Sequence, residues 1–233
     1  MTQFLNTSPV LPFVPATLAL PTRILEIDDV LYEEGRDASS LYLVAGGVLK
    51  AVVPTSMGKE RIADLYGPGD VVGTAALDGG QHAETVIAVH DAQLIPIDPV
   101  QAMNDRALRE HILRSLARQL RHARQSIDDA ELPVGARVTK AFLRLAERFG
   151  QASDTGVGVK LPLALTHEDL ASLTGSSRVT ITRILGELRN EGALSGTRGD
   201  LSGWAVSRET SSSGNTSASP SGPINARMGR SER

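Results

Sequence analysis

The chain has no cysteine among its 233 residues. That one absence removes disulfides, thiol nucleophiles, cysteine-ligated zinc and cysteine-held iron–sulfur clusters, and it fits a reducing compartment. Long apolar runs are missing too. The longest near the start, Val10 to Leu20, is interrupted by Pro12 and Pro15 and lacks a basic flank, so it reads as neither a signal peptide nor a membrane span. A cytoplasmic protein with no membrane partner is expected. Neither sign of charge dominates: 24 Lys+Arg stand against 27 Asp+Glu, a balance that by itself marks neither a nucleic-acid binder nor a disordered acidic chain. The charges are unevenly placed, however. Residues 1–103 hold 5 basic and 13 acidic side chains, and residues 104–233 hold 19 and 14. Two parts with different partners are implied.

From Arg23 to Ile97 the apolar residues come in short runs, such as Leu41-Tyr42-Leu43-Val44 and Thr85-Val86-Ile87-Ala88-Val89, separated by glycine or acidic turns. Evenly spaced short strands predict an antiparallel sandwich or barrel. At Asp105 the period changes. Leu113, Leu116, Leu120, Ala123, Ile127 and Ala130 follow at steps of 3, 4, 3, 4 and 3, a heptad seam on one long helix that is expected to pair with its twin in a homodimer. Pro133 and Gly135 are expected to break or bend the chain, and a further helix over 138–149 opens a second domain. The expected division is an extension at 1–22, a barrel at 23–103, a dimerisation helix at 104–132, a DNA-binding domain at 133–207 and a disordered tail at 208–233.

The stretch from Leu165 to Leu188 carries the most function. Thr166 is placed to cap a short helix with Asp169 at its N3 position, Gly175 to end that helix, and Ser176 or Ser177 to cap the next. Two helices joined by a tight glycine turn predict a helix-turn-helix, whose second helix enters the major groove of double-stranded DNA. Projection at about 100° per residue puts Ile181, Ile184, Leu185 and Leu188 inward. Val179, Thr182, Arg183 and Gly186 then face outward, with Arg178 at the edge. Arg178, Val179 and Arg183 are the candidate base readers, and Thr166, Ser177 and Thr180 the candidate phosphate contacts. Leu194 to Val206 reads as a hairpin wing.

These motifs resemble the cyclic-AMP receptor protein/fumarate–nitrate regulator (CRP/FNR) superfamily. The resemblance spans Ile24 to Val206 and rests on Val30-Leu31-Tyr32-Glu33-Glu34-Gly35, on Leu41 to Lys50 and, more specifically, on Thr166 to Leu194. It implies an α+β chain: a cyclic-nucleotide-binding-like β-barrel of double-stranded β-helix (jelly-roll) form, a long dimerisation helix, and a C-terminal winged helix-turn-helix. The interface would use Leu113, Leu116, Leu120, Ala123 and Ile127. In relatives that bind cyclic AMP the resemblance implies Gly-Glu followed by Arg-Ser around the cyclic phosphate and ribose, with a helical Thr-Ser pair at the adenine. Here the corresponding residues are Gly73-Thr74, His82-Ala83 and Ala123-Arg124. The missing arginine leaves a phosphate uncompensated, so the pocket reads as degenerate and no cofactor is expected; cyclic AMP stays open as an effector, as does another anion held by Arg124, His82 or Arg61.

At the DNA-reading positions the family pattern resembles Arg-Glu-Thr-x-x-Arg, against Arg178-Val179-Thr180-Ile181-Thr182-Arg183 here. The expected function is a homodimeric, sequence-specific transcription regulator, an activator acting with RNA polymerase, that binds a two-fold symmetric operator without cyclic AMP. The alternative is a cyclic-nucleotide-responsive regulator with an altered pocket. An enzyme on the barrel finds little support, because His82, Glu84 and His90 are too few for a cupin-like metal site.

Overall fold

The computed structural model describes residues 22–56, 58–152, 159–163, 165–195 and 204–206. The expected extension, Thr22 apart, and the expected tail lie outside these residues. Eight short strands form the first domain: β1 (Arg23–Leu25), β2 (Val30–Tyr32), β3 (Leu41–Gly46), β4 (Leu49–Pro54), β5 (Glu60–Tyr66), β6 (Val71–Val72), β7 (Thr85–Ala88) and β8 (Ala92–Ile97). They make two antiparallel four-stranded sheets, in the orders β1-β8-β3-β6 and β2-β7-β4-β5. Alternation places Leu25, Val44 and Leu94 of one sheet against Leu31, Leu49, Ala51, Val86 and Ala88 of the other in one buried cluster. This is the expected jelly roll.

Two helices follow, not one. Asp98 caps α1 (Pro99–Asn104), its carboxylate accepting from the Gln101 N–H at 2.9 Å, and Asp105 caps α2 (Arg106–Ala130), accepting from the Leu108 N–H at 3.0 Å. Leu108 and Ile112 of α2 pack on Leu41, Leu43, Val71, Ile95 and Ile97 of the barrel. Strand β6 is the edge of its sheet, and α2 satisfies that edge with side chains. Ser115 Oγ accepts from the Val71 N–H at 2.9 Å, and Gln119 Nε2 donates to the Val71 carbonyl at 2.8 Å. Of the seam residues, Leu113, Leu120 and Ile127 are 60%, 57% and 70% exposed, and Ala123 is exposed. Leu116 differs from the expectation: it sits at the boundary between the free face and the barrel-facing face, and is partly buried against the barrel cluster.

The helix expected from Val138 starts four residues earlier, as α3 (Val134–Phe149). Pro133 sits at its N-cap, where a missing N–H costs nothing, and Gly135 falls in the first turn instead of breaking the chain. Strands β9 (Gln151–Ala152) and β10 (Val159–Leu161), helices α4 (His167–Thr174) and α5 (Arg178–Asn190), and strands β11 (Leu194–Ser195) and β12 (Trp204–Val206) complete the fold. The last four strands form one antiparallel sheet in the order β11-β12-β10-β9.

One apolar cluster joins the two halves. Val48, Ile62, Leu65 and Val89 of the barrel share it with Val138, Phe142, Leu145, Leu170, Ile181, Ile184 and Leu185 of the second domain. Polar bonds reinforce the seat: Lys50 Nζ lies 2.9 Å from Asp169 Oδ1, and the Ile62 N–H donates to Ser172 Oγ at 2.8 Å. Arg148 of α3 reaches Asp64 Oδ1 at 3.0 Å and Asp70 Oδ2 at 3.1 Å. The ring of Phe149 approaches the barrel turn so closely that a Cβ added at Gly67 would lie 2.5 Å from Phe149 Cε1. At the corner between α2 and α3, buried Asp129 is paired with Lys140 at 3.0 Å and with Arg144.

Candidate nucleic-acid interface and barrel pocket

The α4–α5 unit is built by local chemistry. Thr166 Oγ1 accepts from the Asp169 N–H at 3.0 Å, while Asp169 Oδ2 accepts from the Thr166 N–H at 2.9 Å and from its hydroxyl at 2.7 Å. This is the expected capping box. Gly175 takes φ 60° and ψ 43°, the left-handed conformation that ends α4 and that a side chain would resist. Ser177, not Ser176, then caps α5, its Oγ accepting from the Thr180 N–H at 3.2 Å.

Helix α5 is divided as its periodicity implies. Ile181, Ile184 and Leu185 are buried, and Leu188 packs against the same cluster. The opposite face is open: Val179 is 80% exposed, and Ser177, Arg178, Thr182 and Arg183 are exposed with it. Arg183 pairs with Glu187 one turn on, both side chains remaining more than half exposed, so this pair holds the guanidinium only weakly. Thr182 Oγ1 donates to the Arg178 carbonyl at 2.9 Å and meets His167 Nδ1 at 3.0 Å, which ties the start of α4 to α5. Burial, then Arg178 and Arg189, lowers the pKa of His167, so its imidazole is neutral near pH 7. The hydroxyls of Thr166 and Ser177 already serve as caps but stay exposed, and Thr180 is half-buried, its Oγ1 2.8 Å from Ser177 Oγ. The wing's two strands pair Leu194 with Val206 and Ser195 with Ala205; residues 196–203 lie outside the described residues.

The barrel pocket holds a network that the sequence did not disclose. Gly73 (φ 74°) precedes a 3-10 turn over Thr74–Leu77. Its N–H donates to the Tyr32 hydroxyl at 3.1 Å, and the Tyr32 ring stacks on the buried ring of His82, centroids 3.7 Å apart and planes 7° from parallel. The Tyr66 hydroxyl donates to Glu84 Oε1 at 3.0 Å, and the Tyr32 hydroxyl lies 3.4 Å from the same atom. Burial raises the Glu84 pKa, although the two tyrosine hydrogen bonds oppose it. Burial and that carboxylate in turn push both tyrosines up, and burial pushes His82 down. The site thus brings Gly73 and His82 together through Tyr32, and sets a carboxylate within reach. Ala83, Ala123 and Arg124 are not part of this network; all three are exposed. The one available signal for Glu84 was its place two residues after His82, leading into β7.

The comparisons with known proteins agree with both halves. The cyclic nucleotide-binding domain family matches residues 22–104, and the Crp-like helix-turn-helix domain family matches residues 136–203. A CRP-like cAMP-activated global transcriptional regulator of Mycobacterium tuberculosis is 28% identical over 189 residues, 76% of this chain and 84% of the relative. The transcriptional regulator LdrP of Thermus thermophilus is 32% identical over 170 residues, 71% of this chain and 83% of the relative. Among solved structures, a CRP/FNR family transcriptional regulator, also from Thermus thermophilus, superposes with a TM-score of 0.68 at 25% identity, covering 82% of this chain and 95% of that one. These relatives are transcription regulators, not enzymes. Among the described residues no helix is long and apolar enough to cross a membrane. A nucleotide-binding-type barrel seated on a capped helix-turn-helix, matched along both domains, makes this chain a member of the CRP/FNR superfamily of DNA-binding transcription regulators.

Proposed function

We propose that the protein is a homodimer that binds a two-fold symmetric operator without cyclic AMP and activates transcription through RNA polymerase. The open face of α5 carries this reading: an apolar Val179, 80% exposed, between two exposed arginines. Arg178 and Arg183 each suit the O6 and N7 acceptors of a guanine, while Val179 offers only apolar surface, which suits a thymine methyl group or tolerates any base. Thr166, Ser177 and Thr180 sit at helix N-termini, where hydroxyls and N–H groups meet phosphates. Leu113, Leu120, Ala123 and Ile127 form an apolar stripe that the barrel leaves uncovered, as a pairing helix requires.

Independence from cyclic AMP is supported by the pocket. A cyclic phosphate entering it would meet the Glu84 carboxylate and two tyrosines already bonded to it, with no arginine among these groups. The cyclic-nucleotide-responsive alternative is favoured by the names of relatives, one of them a cyclic AMP receptor protein of Thermus thermophilus, 32% identical over 171 residues. Selection of bound DNA from a random pool, with and without cyclic AMP, separates the two. The expected product is a palindrome with two fixed guanines per half-site and a loose position between them, with an operator affinity that cyclic AMP changes by less than about 1 kcal/mol. Enrichment that depends on cyclic AMP would establish the alternative.

A further inference from the structure

Away from the barrel pocket and the DNA face, a cavity of about 360 Å³ opens between the Gly67-Pro68-Gly69-Asp70 turn, α2 and α3. Its size falls within the range that holds small metabolites. Its lining sets Arg114, Arg118 and Arg148 against Asp70 as its one acidic residue, with His111 and His122, whose pKa values burial lowers. On α2 the four residues His111, Arg114, Arg118 and His122 follow at steps of 3, 4 and 4, so they share one face. Projected at about 100° per residue, that face is opposite to Leu113, Leu120 and Ile127, and pairing of two protomers along the stripe leaves the cavity open.

Each lining arginine has a carboxylate partner, but not all are equally held: Arg148 is fixed by Asp64 as well as Asp70, whereas Arg118 and Arg114 keep donors to spare. Asp70 is divided between two guanidinium groups, Arg118 Nη2 at 3.2 Å and Arg148 Nη2 at 3.1 Å, and also accepts from the Gly67 N–H at 3.1 Å. Both bonds that Arg118 makes among the described residues leave from Nη2, the second to the Gly69 carbonyl at 3.0 Å. That leaves its Nε and Nη1 donors unused there. Among the described residues Arg114 reaches only Glu110, at 3.4 Å, with its own side chain 72% exposed. His122 lines the same cavity, and its Nδ1 is buried without a hydrogen-bond partner among the described residues.

We propose that this cavity binds a small, multiply charged oxyanion, the phosphate or carboxylate groups of a metabolite, held by Arg114 and Arg118 beside Arg148 and His122. Guanidinium groups present paired N–H donors that match either oxyanion, and a half-enclosed site screens them less than open water does. The occupant would touch the barrel turn, α2 and α3 at once, and so would tie the barrel to the start of the DNA-binding domain. The site is separate from the cyclic-nucleotide position in the barrel, and it does not depend on the operator reading above.

The test is calorimetric titration of the full-length protein with pyrophosphate and with citrate, at constant ionic strength set by chloride. One site per protomer is expected for at least one of them; tighter pyrophosphate binding assigns a phosphate ligand, and tighter citrate binding a carboxylate. Arg118→Gln and Arg114→Gln should each weaken it tenfold or more, as loss of a charge-assisted bond implies. The Arg114 side chain is mostly exposed, so its variant folds even if the Arg118 variant does not. Arg178→Ala/Arg183→Ala should leave the anion affinity within twofold, which separates this site from the DNA face. Heats no larger than those of chloride, or an affinity unchanged in Arg114→Gln, would overturn the proposal.

Discussion

The ion pair between Lys50 of the barrel and Asp169 of α4 is the most informative bond to break. Its side chains are only 21% and 15% exposed, so its worth falls between the roughly 0–1 kcal/mol of exposed pairs and the roughly 3–5 kcal/mol lost when a buried pair loses one member. Lys50→Met keeps the packed stem and removes the ammonium; a loss of about 1.5 kcal/mol is expected on that scale. Asp169→Ala removes the pair and also one arm of the capping box, which adds about 1 kcal/mol, and it strands the half-buried ammonium, for about 3 kcal/mol in all. The double variant should lose about 2.5 kcal/mol, because no ammonium is left to strand, and this is well short of the sum, because the pair can be lost only once. Urea unfolding followed by circular dichroism at pH 7 measures all four proteins. Acid provides a second check. Burial raises the Asp169 pKa, but the Thr166 hydrogen bonds and Lys50 outweigh it and hold the carboxyl below its usual value. Its contribution is therefore complete above the unfolded-state pKa of about 3.9 and is lost as pH falls through the folded one. The gap between wild type and Lys50→Met should be flat around neutrality and should close in acid. Additivity of the single variants to within about 0.5 kcal/mol would refute the coupling.

Three further outcomes are expected. The folded-state pKa of Glu84 is raised by burial, so the folded protein holds that proton more tightly than the unfolded chain, and stability declines as pH rises from the unfolded value through the folded one; thermal melts should show Glu84→Gln equal to wild type near pH 4 and more stable at pH 8, whereas parallel profiles would contradict the assignment. Leu120→Asp sets a carboxylate on the exposed stripe, so sedimentation should show a monomer that keeps its circular dichroism and no longer binds a palindrome tightly. On α5, Arg178→Ala or Arg183→Ala should cost about 1–3 kcal/mol and relax one base pair per half-site. Val179→Glu should add selectivity between those positions, and an unchanged selected site would show that residue 179 reads nothing.

What the sequence made legible was the local chemistry. The Thr166–Asp169 box, the left-handed Gly175 and the Ser177 cap each depend on residues within about one helical turn of one another, and the exposure of Val179 follows from periodicity alone. The start of α1 was also written locally, in Asp98-Pro99, but six residues are too short to show a helical period. The Glu84 network was not legible, because its hydrogen bonds join residues 52 and 18 apart in the chain. The Lys50–Asp169 bond spans 119 residues, and heptad spacing could not tell that Leu116 sits on the border between two faces of α2 and packs on its own barrel.

The shared apolar cluster bears on how such proteins can be recombined. Val138, Phe142, Leu145 and Leu170 are covered in part by Val48, Ile62, Leu65 and Val89 from the other side of Pro133. A chimaera spliced at that proline, with this DNA-reading half grafted to a relative's barrel, would meet a foreign surface at the place where its own interior is completed. The unit that can be exchanged intact is therefore not the segment after the proline. It is that segment together with the β4–β5 hairpin and the flanking Val48 and Val89 on which it rests, so lineages that trade operator specificity by swapping segments would have to carry these along or rebuild the contact one side chain at a time.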